Sequence, residues 1–109
     1  EFAFLVKVVN KFVFNMLESL EISKINLDKD DKHRIHGDAA DINTLKKAGI
    51  DHAHSIIITT HDYAMNIYLA FYCRQLRPDI QIVSRSTKEQ TIPKLHRAGA
   101  DLVDSSAAM

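Results

Sequence analysis

Hydrophobic residues in this chain fall either in short unbroken runs or at helical spacing, which predicts strands that alternate with helices. The run Ile56-Ile57-Ile58 is typical of a strand buried on both faces, because β-branched side chains favour strands and no polar residue interrupts it. The predicted strands are residues 2–6, 22–27, 34–36, 56–58, 80–84 and 101–103. The predicted helices are residues 10–20, a short helix ending at residue 47, residues 63–76 and residues 88–98.

Cap and turn residues mark the ends of these helices independently of the hydrophobic pattern. Asp41 or Asn43 is a suitable N-cap for the short helix, and Gly49 follows it where a left-handed backbone is expected. Gly99 follows the last helix in the same way. Pro93 lies inside the last predicted helix, so the regular part of that helix should begin just before it, with proline in the first turn.

The helix predicted at residues 63–76 carries two apolar stripes. They consist of Ala64, Ile67 and Phe71, and of Met65, Leu69, Tyr72 and Leu76. One stripe is enough to cover a sheet, so the second predicts contact with another helix or with another subunit. This second stripe is the basis for expecting a homodimer.

Strands separated by helices predict a Rossmann-like, doubly wound α/β fold, with a mainly parallel six-stranded sheet in a three-layer arrangement. The 109 residues suffice for a single domain, residues 1–109, in which no closing element follows the sixth strand. The connection from Asp28 to Arg34 is short, because a crossover between parallel strands normally needs about a dozen residues. Either these strands are joined in an unusual way or residues are missing there.

Composition narrows the functional classes. Fourteen basic and fourteen acidic side chains balance, so charge does not favour nucleic acid or an anionic membrane surface as a partner. The single Cys73 cannot form an internal disulfide, which fits a reducing compartment. No apolar run approaches the roughly 20 residues of a membrane span, and no signal peptide is recognisable. We therefore expect a cytoplasmic chain without direct membrane insertion.

Polar residues collect where the predicted strands end. In doubly wound sheets, ligands bind at the carboxyl ends of the strands, near the point where strand order reverses. The residues expected there are 7–10, Asp28, 37–39, 59–61 and 85–86. They can hydrogen-bond a sugar, a base or a phosphate, whereas each Asp, Thr or Ser taken alone is equally well explained as a helix cap.

Four motifs follow one another along the chain: HGDAAD at residues 36–41, LKKAGI at 45–50, SIIITT at 55–60 and RAGADLV at 97–103. Together they resemble the regulator-of-potassium-conductance domain, the Rossmann-like TrkA N-terminal type of prokaryotic potassium channels and transporters. The resemblance implies a cytosolic regulatory module that binds NAD(H) or an adenine nucleotide and forms a homodimer or higher ring. It also implies control of potassium transport through a membrane channel or transporter subunit.

The same resemblance implies roles for individual residues. Asp28 would hold the ribose hydroxyls, and Asp38 and Ala39 would border the adenine. The threonine pair at 59–60 would contact the middle of the ligand, and Arg85 would contact a phosphate. The candidate cofactor-binding residues are Lys7, Asp28, Gly37, Asp38, Ala39, Thr59, Thr60 and Arg85.

The first half of the chain departs from the dinucleotide fingerprint. Glycines expected near positions 7, 9 and 12 are replaced by Lys7, Val9 and Phe12, although Asp28 keeps the spacing of the acidic residue. A Cβ at these positions blocks close approach of the backbone to a pyrophosphate, and Lys7 can supply charge but not a bare turn. The sequence therefore indicates a degenerate site, an altered sequence or an unreliable N-terminal segment.

Enzymes are the competing class, with an NAD(P)-dependent oxidoreductase as the alternative. None of the three tyrosines has a lysine four residues later, no GxSxG elbow is present, and Cys73 lies in a predicted helix without a neighbouring histidine. A receiver domain would need a lysine where Arg85 stands. The six histidines lack a zinc pattern, with a cluster of His33, His36 and His61 as the remaining metal possibility. We predict a non-enzymatic domain with no metal site.

Overall fold

The computed structural model describes residues 6–9, 40–86 and 88–104. The elements in chain order are β1 (Val6–Val9), α1 (Ile42–Lys47), β2 (Ser55–Ile58), α2 (Tyr63–Leu76), β3 (Gln81–Arg85), a 3₁₀ turn (Glu89–Thr91), α3 (Ile92–Ala98) and β4 (Leu102–Asp104). The helix predicted at 10–20 and the strands predicted at 22–27 and 34–36 lie outside the described residues, as does most of the strand predicted at 2–6.

The described strands form one sheet in the order β1-β2-β3-β4. β2, β3 and β4 are parallel, with Ile57 opposite Val83 and Ser84 opposite Val103. Parallel strands connected by α2 and α3 give the Rossmann-like α/β arrangement that the sequence predicts. Because the three strands run in the same direction, their carboxyl ends meet at one edge, which we call the carboxyl edge.

β1 runs antiparallel to β2, which corrects part of the prediction for this edge. Val6 pairs with Ile58 and Val9 pairs with Ser55, so β1 begins beside the carboxyl edge and ends at the opposite one. Lys7, opposite Ile57, stays one residue from the edge. An apolar run shows that a strand is buried but carries no information on its direction, and antiparallel edge strands are common on parallel sheets. The expectation that residues 8 and 9 border the carboxyl edge is therefore wrong.

The predicted helix boundaries are confirmed within the described residues. Asp41 caps α1 by accepting a hydrogen bond from the Asn43 backbone N–H at 2.9 Å. Asp62 caps α2 by accepting from the Met65 N–H at 3.1 Å. After α1, Gly49 has the positive φ of 94° that the sequence led us to expect. Pro93 lies in the first turn of α3, where its missing N–H costs no helical hydrogen bond.

The core lies between β2 and β3 and the helices that cover them. All four residues of β2 are buried, as expected for a central strand. The buried face of α2 consists of Asn66, Leu69, Ala70 and Cys73. Of the two predicted stripes, the one containing Leu69 packs on the core, whereas Phe71 on the other remains 53% exposed.

The side chain of Arg74 connects three segments of the chain at the opposite end of the strands from the carboxyl edge. Its Nη1 donates to the carbonyl oxygens of Pro78 at 2.9 Å and Ile80 at 2.7 Å. Its Nη2 donates to the Gly99 carbonyl and to Asp101 Oδ2, both at 2.7 Å. The end of α2, the start of β3 and the turn before β4 are thereby fixed by one guanidinium.

This packing predicts that Gly99→Ala destabilises the domain more than Gly49→Ala. Both glycines have positive φ, 127° at Gly99 and 94° at Gly49, so both substitutions should cost about 1–2 kcal/mol of backbone strain. A Cβ at Gly99 would also lie 3.1 Å from Arg74 Cβ, whereas a Cβ at Gly49 meets nothing within 4 Å. Urea denaturation of the two variants measures the difference, and equal losses would contradict the role given to the Arg74 contact.

Candidate functional site

The carboxyl edge brings together three of the predicted site residues. Thr59 and Thr60 directly follow β2, and Arg85 ends the neighbouring strand β3. Lys7 lies in β1 on the other side of β2. The remaining predicted site residues lie outside the described residues and are Asp28, Gly37, Asp38 and Ala39.

Arg85 extends its side chain back across the end of β2. Its Nη2 donates to the Thr59 carbonyl oxygen at 2.5 Å and lies 3.1 Å from Nδ1 of the exposed His61. Its Nε is buried and has no hydrogen-bond partner among the described residues. A buried N–H without a partner is costly, and a guanidinium is well suited to bind carboxylate or phosphate oxygens. The donor set at this edge therefore fits an anionic group.

Asn66 is a functional candidate that the sequence analysis did not identify. It lies in the first turn of α2, is only 1% exposed, and donates from Nδ2 to the carbonyl oxygens of Thr60 and Arg85, each at 3.1 Å. Its Oδ1 accepts a hydrogen bond from the Thr60 hydroxyl. One signal could have revealed it: residues 66, 69, 70 and 73 are spaced as one helical face, and an amide in that face needs partners.

The hydroxyl groups at the edge bind within the protein. The Thr60 hydroxyl also accepts from the Asp62 backbone N–H at 3.2 Å, ahead of α2. The Ser86 hydroxyl lies 2.5 Å from that of Thr91 and 2.6 Å from the Lys88 carbonyl oxygen. These bonds are typical of residues that organise the start of a helix, which supports the capping explanation for Thr60 and Ser86. Arg85 differs from these residues, because its Nε has no partner among the described residues and can still donate to a ligand.

Cys73 is unsuited to nucleophilic chemistry. It is completely buried on the core face of α2, and burial raises the pKa of its thiol from 9.0 to about 12. A neutral thiol is a poor nucleophile, so Cys73 contributes to packing.

Metal binding and membrane insertion find no support in the described part of the chain. Residues 6–9, 40–86 and 88–104 contain no group of three His, Cys, Asp or Glu side chains placed to hold a metal ion. His33 and His36, two members of the possible histidine cluster, lie outside these residues. Among the helices described, none has the length and apolar character needed to cross a bilayer.

Comparison with known proteins gives consistent matches. A sequence profile of the TrkA-N domain matches residues 17–106. Potassium channel protein 1 of Methanocaldococcus jannaschii is 39% identical over 67 residues, which cover 62% of this chain and 20% of the relative. The solved structure of the GsuK channel bound to NAD is 41% identical with a TM-score of 0.67, covering 78% of this chain and 16% of that chain. GsuK bound to ADP gives the same identity and TM-score and covers 23% of that chain.

These matches confirm the predicted resemblance and the Rossmann-like fold. The relatives carry the names of potassium channels rather than of enzymes, in agreement with the prediction of a non-enzymatic domain. The chain spans about a fifth of the length of the curated channel relative.

The raised pKa of Cys73 predicts a loss of stability at high pH. The thiolate forms near pH 9 in the unfolded chain and near pH 12 in the folded one, so this contribution is complete below pH 9 and disappears as pH rises toward 12. Between pH 8 and 10, wild type should lose about 1 kcal/mol of unfolding free energy relative to Cys73→Ala. Urea titrations at both pH values measure this difference. A pH-independent difference would contradict the burial of the thiol.

Proposed function

The chain belongs to the TrkA-N domain family, and from this membership we propose that it is a cytosolic regulatory domain that binds a nucleotide and thereby controls potassium transport. Its parent would be a membrane channel or transporter. The observation that carries the proposal is the guanidinium of Arg85 at the carboxyl edge, whose buried Nε has no partner among the described residues. In a chain 41% identical to a channel solved with NAD and with ADP, that donor points to a phosphate.

The proposed ligand is NAD(H) or an adenine nucleotide, bound across the carboxyl edge. Arg85 would bind a phosphate, and the backbone at Thr59 and Thr60 would lie against the middle of the ligand. Lys7, near the start of β1, would add positive charge beside β2. The ribose and adenine contacts proposed from the family are Asp28, Gly37, Asp38 and Ala39.

The direction of β1 supports a ligand held by side chains rather than by a glycine loop. In the dinucleotide fingerprint, the glycines follow the first strand at its carboxyl end. Here that end is Val9, opposite Ser55 at the start of β2 and away from Arg85. The replaced glycines and the strand direction thus agree. They favour a ligand whose phosphate depends on Arg85 more than on backbone N–H groups.

Calorimetric titration of the chain with NADH, NAD, ATP and AMP tests this proposal. We expect at least one of them to bind, and Arg85→Lys to weaken that binding about tenfold, because lysine keeps the charge but loses the planar set of donors. Arg97→Lys, an exposed change on α3, is the matched control and should bind as wild type does. Silence from all four nucleotides would refute ligand binding by this chain, and equal binding by Arg85→Lys would refute the role of Arg85.

We propose further that the chain assembles as a homodimer or a higher ring through the outer side of α2. Tyr63, Tyr68 and Phe71 are 38%, 49% and 53% exposed, although they are large and apolar. Tyr68 stacks on Tyr72 with ring centroids 5.8 Å apart and planes 11° from parallel, which gives the surface a fixed aromatic shape. Burial of such side chains in an interface is favourable, and aromatic residues are enriched at these surfaces.

Introducing a charge at the centre of this surface should dissociate the assembly. Phe71→Lys is expected to shift sedimentation from dimer to monomer and to leave the melting temperature of the monomer within a few degrees, since residue 71 lies outside the core. Lys94→Gln, also a change of one charge but on the exposed side of α3, should leave the assembly intact. A wild-type chain that sediments as a monomer at high concentration would rule out this interface for residues 1–109.

A further inference from the structure

We propose that Asn66 is a positioning residue that holds the ends of β2 and β3 at a fixed distance and thereby aims Arg85 at the ligand. The inference rests on the proposed function for what is bound, but its structural part stands independently. The regular ladder between the two strands ends at the pair Ile58 and Ser84. Beyond that pair, Asn66 donates hydrogen bonds to the carbonyl oxygen of Thr60, two residues after Ile58, and to that of Arg85, the residue after Ser84.

The hydrogen bonds of Asn66 use its side-chain amide almost completely. Both hydrogens of Nδ2 are donated, one to Thr60 O and one to Arg85 O, and Oδ1 accepts from the Thr60 hydroxyl. This pattern also determines the orientation of the amide. A flipped side chain would place Oδ1 against two carbonyl oxygens, where neither side has a proton to donate.

The surroundings of Asn66 argue against the explanation that its side chain only fills space in the core. The other buried residues on this face of α2 are Leu69, Ala70 and Cys73, and a hydrophobic residue at 66 would cover the sheet without any need for partners. A buried amide is tolerated only when its hydrogen bonds are made. Here both donated bonds go to the strand ends and none goes to α2 itself. The amide of Asn66 therefore stabilises the arrangement of the carboxyl edge rather than the helix in which it lies.

Arg85 is the residue on which this positioning acts. Its carbonyl oxygen accepts from Asn66, while its own Nη2 donates to the Thr59 carbonyl oxygen at 2.5 Å. Arg85 is thus held at two points. Its backbone accepts a hydrogen bond from α2, and its side chain donates one to the residue that follows β2. With its backbone and guanidinium both held, Arg85 keeps Nε in one direction. Loss of Asn66 would leave the backbone of Arg85 held only from the β4 side, where it pairs with Asp104, and would change the direction in which the Nε–H bond points.

Asn66→Asp tests the proposal because it keeps the shape of the side chain and removes the donors. At pH 7.5 a carboxylate would face two carbonyl oxygens, and the dissociation constant of the nucleotide that wild type binds should rise about tenfold or more. As the pH is lowered toward 5, protonation of this buried Asp restores one donor, and the ratio of variant to wild-type dissociation constants should fall. Using the ratio removes pH effects that are common to both proteins, such as protonation of the nucleotide itself.

A matched control separates positioning from general loss of stability. Cys73→Ala creates a cavity two turns further along the same face of α2, so it should lower the melting temperature while leaving nucleotide affinity within about twofold of wild type. Thr60→Val is a milder probe that removes the hydroxyl donor to Asn66 Oδ1, and we expect it to weaken binding about threefold. If Asn66→Asp binds as tightly as wild type at pH 7.5, or if Cys73→Ala loses as much affinity, the positioning role is wrong.

Hydrogen exchange provides a readout that does not need a ligand. The N–H groups of Asp62 and Ser86 are bonded next to the two strand ends, to Thr60 Oγ1 and to the Asp104 carbonyl oxygen. Both should exchange at least about tenfold faster in Asn66→Asp than in Cys73→Ala. If no nucleotide binds wild type, the proposed function fails, and this comparison alone decides whether Asn66 holds the edge. Equal exchange in the two variants would overturn the inference.

Discussion

Helix α2 fixes both edges of the sheet, and the rest of the described structure depends on that connection. Near its beginning, Asn66 binds the ends of β2 and β3 at the carboxyl edge. Near its end, Arg74 and Arg77 each donate to a turn at the opposite edge, to the carbonyl oxygens of Gly99 and Ile50 respectively, both at 2.7 Å. One helix thus spans the length of the strands and carries polar anchors at both ends, with an apolar face between them.

The two turns that accept these arginine hydrogen bonds are of the same helix-to-strand type. After α1, the Ile50 N–H donates to Leu45 O at 3.1 Å, and after α3, the Ala100 N–H donates to Leu95 O at 3.0 Å. These bonds reach back five residues from the strand side and close the helix end around a glycine with positive φ. With six and seven residues, α1 and α3 are too short to be stable alone, so their ends need tertiary contacts. Arg74 of α2 and Arg77, which directly follows that helix, provide them.

Features with a local cause could be predicted from the sequence, and features set by tertiary contacts could not. The bounds of α2 follow from Asp62 and from the proline after its end, and burial of β2 follows from its isoleucines. The direction of β1 has no local signature, because the hydrophobic pattern of a strand does not depend on whether it pairs parallel or antiparallel with its neighbour. Asn66 and Arg74 were not identified as structural residues because their partners lie up to 19 and 27 residues away in sequence. For the candidate site, the sequence identified Thr59, Thr60 and Arg85 but not Asn66, whose amide is bonded to two of them.

The structure also changes what these site residues contribute. A hydroxyl at a strand end suggests a ligand contact, yet the hydroxyls of Thr60 and Ser86 bind inside the protein. The guanidinium of Arg85, whose buried Nε has no partner among the described residues, can recognise an anion through charge and fixed geometry rather than through close approach of the backbone. A family fold can therefore keep a phosphate contact after its glycine loop has changed, provided that the arginine is held in place. In this chain Asn66 donates to the carbonyl oxygen of Arg85, so under the proposed function the buried amide and the phosphate contact would act together.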